Sequence, residues 1–469
     1  MKKFVTILFI LAISTSMFGQ AFFNTSLHKT REGKNTAYRI ENGGMEIITG
    51  IPMADLACGK CHSTTETYPN GDPIDPNTYQ PSCNDCHNFA AGSTVAEQTC
   101  KGCHNRQVYE IAAYPDSLTN GDVHRKAGMA CLSCHTKAEV HGDDGVAYAS
   151  LKEDGAIQTK CINCHANMPV NTSHTLHSTK VDCAACHAVS VLTCAGCHFE
   201  SVVATGKNRA INQIKNYRLL VKKNNMVRLG GFMSHSFNNK TNYIISSYHS
   251  HVITKNATTC TDCHQNMGGT NPAITEYNNT GFITMTTWNS TSKKIIGPSG
   301  VVPIPADWKT SLKLDFVTYT GDPTVFPSDP NAWVYLKSEV DNSHLFYCEP
   351  LDSSTLAKLG FTRFPTSVEK IDNNIPDKFV LEQNYPNPFN PSTTIRFSIP
   401  QSEIVSIEIY DVQGELVKSL LKNSEQSSGA FELKWDGKDN SGKIVPSGIY
   451  FTRMSAGKFN QVQKMVLLK

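Results

Sequence analysis

At 469 residues the chain is too long for one ordinary domain and should divide into two or three units. Its net charge of +2, with no extended Lys/Arg cluster, argues against nucleic acid or an anionic membrane as partners. Seventeen cysteines would suggest a disulfide framework in an exported chain, so their spacing decides the class.

The chain opens MKKFVTILFILAISTSMFGQ, with Lys2 and Lys3 as a positive start and an apolar run from Phe4 to Ile13. Residues 1–20 therefore read as a cleavable signal peptide. The run is well short of the roughly 20 residues that a spanning helix needs. No later stretch is apolar enough to span a bilayer, so the mature form is expected to lack a transmembrane segment.

Sixteen of the cysteines fall in eight C-x-x-C-H units. These are Cys58, Cys61 and His62; Cys83, Cys86 and His87; Cys100, Cys103 and His104; Cys131, Cys134 and His135; Cys161, Cys164 and His165; Cys183, Cys186 and His187; Cys194, Cys197 and His198; and Cys260, Cys263 and His264. The chemistry explains the spacing: two thiols add across the two vinyl groups of a haem, and the adjacent histidine lies beneath the iron. Zinc sites would use paired C-x-x-C units but do not demand a histidine after each one. Eight covalent haem c groups are expected, with Cys348 left over as a partly buried free thiol.

Nine further histidines are available for the opposite face of each iron. Those within or beside the motif region are expected to be distal ligands: His124, His141, His174, His177, His249 and His251, with His235 and His28 added. His344 lies outside the block and is not counted. His174 and His177 are three apart, so on a helix they share a face and could serve two neighbouring haems. His249 and His251 alternate as on a strand and should point the same way. With every position filled, the protein is an electron relay; one open position would make it a candidate enzyme.

Residues 58–198 lack Trp and are poor in large aliphatics, so they cannot build an ordinary core. The macrocycles must supply it, and the apo-protein should be unfolded. The close spacing of Cys183 and Cys194 is expected to put their two haems almost in contact. Haem propionates, unless paired or protonated, would make the holo-protein acidic and steer cationic partners or metal ions toward it.

The expected fold is a haem-packed, irregular and mostly α multihaem domain over residues 21–270, with a β insert at about 215–255. YRLLVKKNNMVRLGGF reads as two strands around a turn, and NYIISSYHSHVI as a third. A β-rich extension follows over 271–364, where Trp288, Trp308 and Trp333 supply an ordinary core. Residues 365–378 read as a linker, and 379–469 as a C-terminal β-sandwich with Val405, Ile407 and Ile409 facing its core.

On these motifs, residues 58–264 resemble the multihaem c-type cytochromes with bis-histidine ligation, a class that includes extracellular electron conduits. The octahaem enzymes share the haem count, but several of that group depart from the usual motif at a catalytic haem, whereas all eight motifs here end in His. The tail, with NYPNPFNP, WDGKDNSG and SGIYF, resembles the type A sorting domain of the type IX secretion system. That resemblance implies passage across the outer membrane by the secretion machinery, with release or surface attachment. Together the two imply electron transfer at or beyond the outer membrane, as conduit, shuttle or filament subunit, with other redox proteins or extracellular acceptors as partners and homo-oligomers as one form. The alternative is an oxidoreductase acting on a small nitrogen or sulfur compound at one open-site haem.

Overall fold

The structure is a computed structural model that describes residues 22–56, 67–75, 78–116, 121–167, 169–363, 369–372, 376–426, 428–440 and 443–468. The expected signal peptide and the first motif, Cys58 to His62, lie outside the described residues.

From residue 67 to residue 184 the chain forms short helices and turns, and its buried hydrophobics are Ile74, Tyr79 and Tyr114. That matches the core-poor composition. The ordinary core begins at Ala185 and runs to Phe361, around a six-stranded sheet.

In chain order the strands are β1 (Val191–His198), β2 (Ala210–Lys223), β3 (Met226–Phe237), β4 (Lys240–Ser247), β5 (Ile283–Asn289), β6 (Lys294–Ile296), β7 (Gly300–Pro303), β8 (Leu312–Leu314), β9 (Phe316–Tyr319), β10 (Trp333–Lys337) and β11 (Asn342–Phe346). The large sheet has the order β11-β4-β3-β1-β2-β7. Its β2–β3 and β3–β4 hairpins turn on Asn224–Asn225 and Asn238–Asn239, all four at positive φ, the backbone that two-residue hairpins of matching twist require. The predicted pair of strands around Lys-Lys-Asn-Asn is therefore present in its expected place.

Four expectations need correction. The sheet is larger than an insert over 215–255, because β1 enters it and carries the seventh motif into an inner position. Residues 271–364 are not a separate extension: β7 and β11 complete the sheet, and Trp308 and Trp333 are buried in the same core. His249 and His251 lie past the end of β4 and are not on a strand. Within the expected linker, β12 (Glu369–Asp372) pairs with a strand of the C-terminal domain.

Residues before the first motif also pack. Tyr38, Met45, Ile48 and Leu56 form a second cluster with Phe199, Val202, Phe237, Ile244 and Phe346.

The C-terminal domain adds β13 (Val380–Leu381), β14 (Thr393–Ile399), β15 (Glu403–Tyr410), β16 (Leu416–Gln426), β17 (Gly429–Trp435), β18 (Gly448–Ala456) and β19 (Phe459–Leu467). They make two four-stranded sheets, β12-β17-β14-β13 and β16-β15-β18-β19. Period-two burial of Ile395, Phe397 and Ile399 on one sheet meets that of Val405, Ile407 and Ile409 on the other, giving the expected sandwich core.

Candidate functional site

Six motifs adopt a helical turn. The helices Glu97–Cys103, Cys131–Cys134, Cys183–His187 and Cys260–Cys263 and the 3-10 turns Cys83–Asp85 and Cys161–Asn163 each contain one or both motif cysteines. Local sequence sets them: Ser82 with Asp85 and Thr259 with Asp262 form capping boxes, and the Asp182 side chain accepts from Ala184 N at 3.0 Å. A backbone bond then runs from the motif histidine to the first cysteine, at 2.9 Å for His87 N to Cys83 O, 3.0 Å for His104 N to Cys100 O, 2.9 Å for His135 N to Cys131 O and 2.8 Å for His165 N to Cys161 O. On such a turn the residues at i, i+3 and i+4 share one face, as two thioethers and one axial ligand of a single macrocycle must.

Each of these six histidines faces a second one from elsewhere in the chain. Ring centres are 6.0 Å apart for His104 with His28, 6.1 Å for His87 with His141 and 6.1 Å for His165 with His124. They are 6.2 Å apart for His135 with His251, 6.2 Å for His187 with His174 and 6.1 Å for His264 with His177. An imidazole nitrogen binds a transition metal at roughly 2 Å and lies about 1 Å from its own ring centre, so two imidazoles on opposite faces of one iron have centres about 6 Å apart. The residues present therefore fit haem c at all six turns. Haem iron held on both faces supplies one-electron transfer.

Several ring nitrogens remote from the iron position are anchored. Nδ1 of His135 meets Glu139 Oε1 at 2.6 Å, Nδ1 of His187 meets Thr254 O at 3.0 Å and Nδ1 of His264 meets Lys358 O at 2.6 Å. On the distal side, Nδ1 of His174 meets Pro169 O at 2.8 Å. A carbonyl can only accept, so Nδ1 carries the hydrogen in the last three, leaving Nε2 as the ligating atom. Neutral imidazole is the form that ligates, and burial favours it at two of the facing histidines. Burial first, then the neighbouring His104, lowers His28 to about 4, and burial followed by His264 lowers His177.

The turns also lie near one another in chain order. Burial raises the Cys86 thiol to about 11, helped by Asp85 and by the nearby Cys100 and Cys103. Burial and then Cys131 raise Cys100, and Cys131 also hydrogen-bonds it. Burial and then Cys164 raise Cys134. Cys161 and Cys183 hydrogen-bond to each other. Burial, then Cys186, raises Cys263 to about 12. The motifs thus form one line: second, third, fourth, fifth, sixth, eighth.

The helix Thr172–His177 does what its spacing implies, presenting His174 to the sixth motif and His177 to the eighth. The anchors Glu139, Thr254 and Lys358 were not anticipated; only Glu139, four residues after His135 on its own helix, left a readable signal. His235 and His249 stand apart from the six pairs, and the first motif's His62 lies outside the described residues. Among the described residues neither faces a motif histidine: His235 is buried within β3 beside Asn242, and His249 lies near Lys152, Arg228 and Lys223. Cys348 is half-buried, with Sγ 3.6 Å from Ile245 O.

The seventh motif departs from the other described ones. Cys194, Cys197 and His198 lie on β1, and His198 N donates to Arg209 O at 2.8 Å in the ladder with β2. The thiol of Cys183 lies against that of Cys161. The short sequence separation is taken up by the entry of the chain into the sheet.

Among the described residues no helix is long and apolar enough to cross a membrane. Residues 46–105 match the family described as cytochrome c7 and related cytochrome c, and residues 391–458 match the FlgD Ig-like domain. No curated protein matches the chain. Among solved structures, PorZ, an essential bacterial surface component of the type-IX secretion system of Porphyromonas gingivalis, is 22% identical over 20% of this chain and 12% of its own, with a TM-score of 0.15. Dimeric latent PorU from Porphyromonas gingivalis is 20% identical over 30% of this chain and 11% of its own, with a TM-score of 0.16. FlgD from P. aeruginosa is 21% identical over 20% of this chain and 74% of its own, with a TM-score of 0.15. The chain thus spans about an eighth of PorZ and less of PorU. Residues 46–105 carry a cytochrome c7-like, multihaem electron-transfer segment with covalently bound haem c, and the chain ends in a β-rich region with an Ig-like domain.

Proposed function

We propose that the protein is an exported bis-histidine electron wire that works at or beyond the outer membrane. The observation that carries this reading is the set of six motif histidines, each facing a second histidine at 6.0 to 6.2 Å on turns that lie near one another in succession. The chain's part is to orient the imidazoles and to keep successive turns near one another. Bis-histidine ligation gives lower potentials than Met/His ligation, which suits electron delivery to external acceptors.

The destination rests on the two ends of the sequence. The N-terminus has the pattern of an export signal, and the tail combines the phrases NYPNPFNP and SGIYF with a self-contained sandwich. Delivery by the type IX machinery, to redox proteins or external acceptors, follows from those two features.

Magnetic circular dichroism with EPR on the oxidised holo-protein tests the redox reading. The expected spectrum is wholly low-spin; a high-spin component would put an open-site oxidoreductase of small nitrogen or sulfur compounds in its place. Surface proteolysis of intact cells tests the location, which fails if the haem protein stays protected inside the outer membrane.

A further inference from the structure

We infer that the seventh C-x-x-C-H carries no haem, and that the wire runs directly from the turn at Cys183 to the turn at Cys260. The inference rests on the covalent-haem reading and concerns which motifs are used.

The first argument is backbone shape. β1 is an inner strand, with Cys194 in register with Gln213, Cys197 with Ala210 of β2, and Cys197 and His198 with His235 and Ser236 of β3. Cys194 and Cys197 thus sit on an extended segment interrupted at Gly196, not on the single helical turn that brings i, i+3 and i+4 to one face in the other six described motifs. The surroundings differ accordingly: Cys194 lies beside Arg106, whereas Cys197 adjoins His235. Gly196, between them at φ 59°, is closed over by its neighbours, since a Cβ there would lie 2.6 Å from Val317 Cγ2 and 3.0 Å from Ile211 Cγ2.

The second argument is the ligand. His198 is 5% exposed, while the other six described motif histidines are half-buried or exposed. Its Nδ1 is 3.0 Å from Ser201 Oγ, and its Nε2 lies 3.1 Å from the carboxylate oxygen Oε2 of Glu200. The rings of Tyr319 and Trp333 close over it at 5.9 and 6.4 Å. Among the described residues no second imidazole stands opposite it.

The third argument is the path. Cys186 O accepts from Thr258 N and from Thr258 Oγ1, each at 2.9 Å, and His187 O accepts from Thr254 N at 2.8 Å. Those bonds strap the segment leading into the eighth motif onto the sixth, and one helix supplies the distal histidine to both. The junction is complete without a seventh member.

Peptide mapping of mature holo-protein, denatured, reduced and alkylated, tests the inference. The peptide with Cys194 and Cys197 is expected mainly as a doubly alkylated species without haem, while peptides with the other described motifs carry haem. A haem on the Cys194 peptide as its major form would overturn it; lacking an opposite imidazole, that haem would be the open-site one. Absence of haem from all motif peptides would instead sink the cytochrome reading. As a second readout, C194A/C197A should keep the wild-type ratio of haem to protein, and loss of one haem equivalent would equally overturn the inference.

Discussion

The thiols of Cys161 and Cys183 hydrogen-bond to each other, so the fifth and sixth motif turns meet at their first cysteines. On either side the second cysteines lie near one another, Cys134 by Cys164 and Cys186 by Cys263, so consecutive turns follow one another along the line. Its properties can therefore be altered one link at a time.

His177→Met should raise the reduction potential of the centre on His264 by a sizeable share of the roughly 0.8 V range that axial ligands span. The centre on His187, served by His174 from the same helix, should keep its potential. Potentiometric titration resolves the two, and a shift of both or neither contradicts the assigned pairs.

Glu139 accepts from His135 and from the backbone N–H groups of Gln158 and Thr159 at 2.8 and 3.1 Å. Burial pushes its carboxyl up, but the bonds from His135 and Gln158 win and hold it below the usual range. Glu139→Gln should weaken donation to ferric iron and raise that centre's potential, with about 59 mV for each tenfold loss of ferric preference. An unchanged redox titration would remove Glu139 from the tuning set.

Acid should destabilise the sheet. Burial first, then His344, lowers His235 to about 4 from 6.5. Above pH 6.5 both folded and unfolded states are neutral at this residue. Between 6.5 and about 4 the unfolded chain binds a proton that the fold refuses, so stability falls with pH by up to about 1.4 kcal/mol per unit, levelling below about 4. Thermal melts of His235→Gln against wild type over that range should show a shallower pH slope in the variant.

Apo-protein should come apart unevenly. Residues 67–184 bury little beyond Ile74, Tyr79 and Tyr114, whereas the sheet owns a continuous core. Limited proteolysis of chain made without haem attachment is expected to cut the motif region first and leave a resistant fragment containing β2 to β11. Uniform digestion would show that the sheet also needs the cofactor.

Trp435 is fully buried, tilted against Phe389 and edge-on to Tyr450, and its Nε1 donates to Lys438 O at 2.9 Å. Trp435→Ala should cost the sandwich about 3–5 kcal/mol. Export should suffer while haem content and visible spectrum stay as in wild type; a loss of haem would tie the tail to the wire.

Spacing made the motif cysteines and their histidines legible, and six of the eight further histidines singled out in the sequence face a motif histidine in the fold. The pairing was not legible: His251 reaches His135, and His28 reaches His104, through contacts between segments far apart in the chain. The seventh motif has the same spacing as the others and a different fate. Its flanks hold the clue, since Val191, Leu192, Ala195 and Phe199 are the apolar residues of an inner strand, unlike the polar settings of Cys100 and Cys161. The edges of the sheet stayed hidden for another reason: β7 and β11 are short and join it in parallel from a distance, which local pattern does not report.

The line of turns mostly follows the order of the chain, so each turn can meet the one before it as folding proceeds. Its last link is the exception. Cys260 comes back to Cys186 only after β1 to β4 have intervened, held by Thr254 and Thr258. Maturation therefore has a built-in final step: the conductor stays one terminus short until the sheet has closed, and current through the last centre reports that folding is complete.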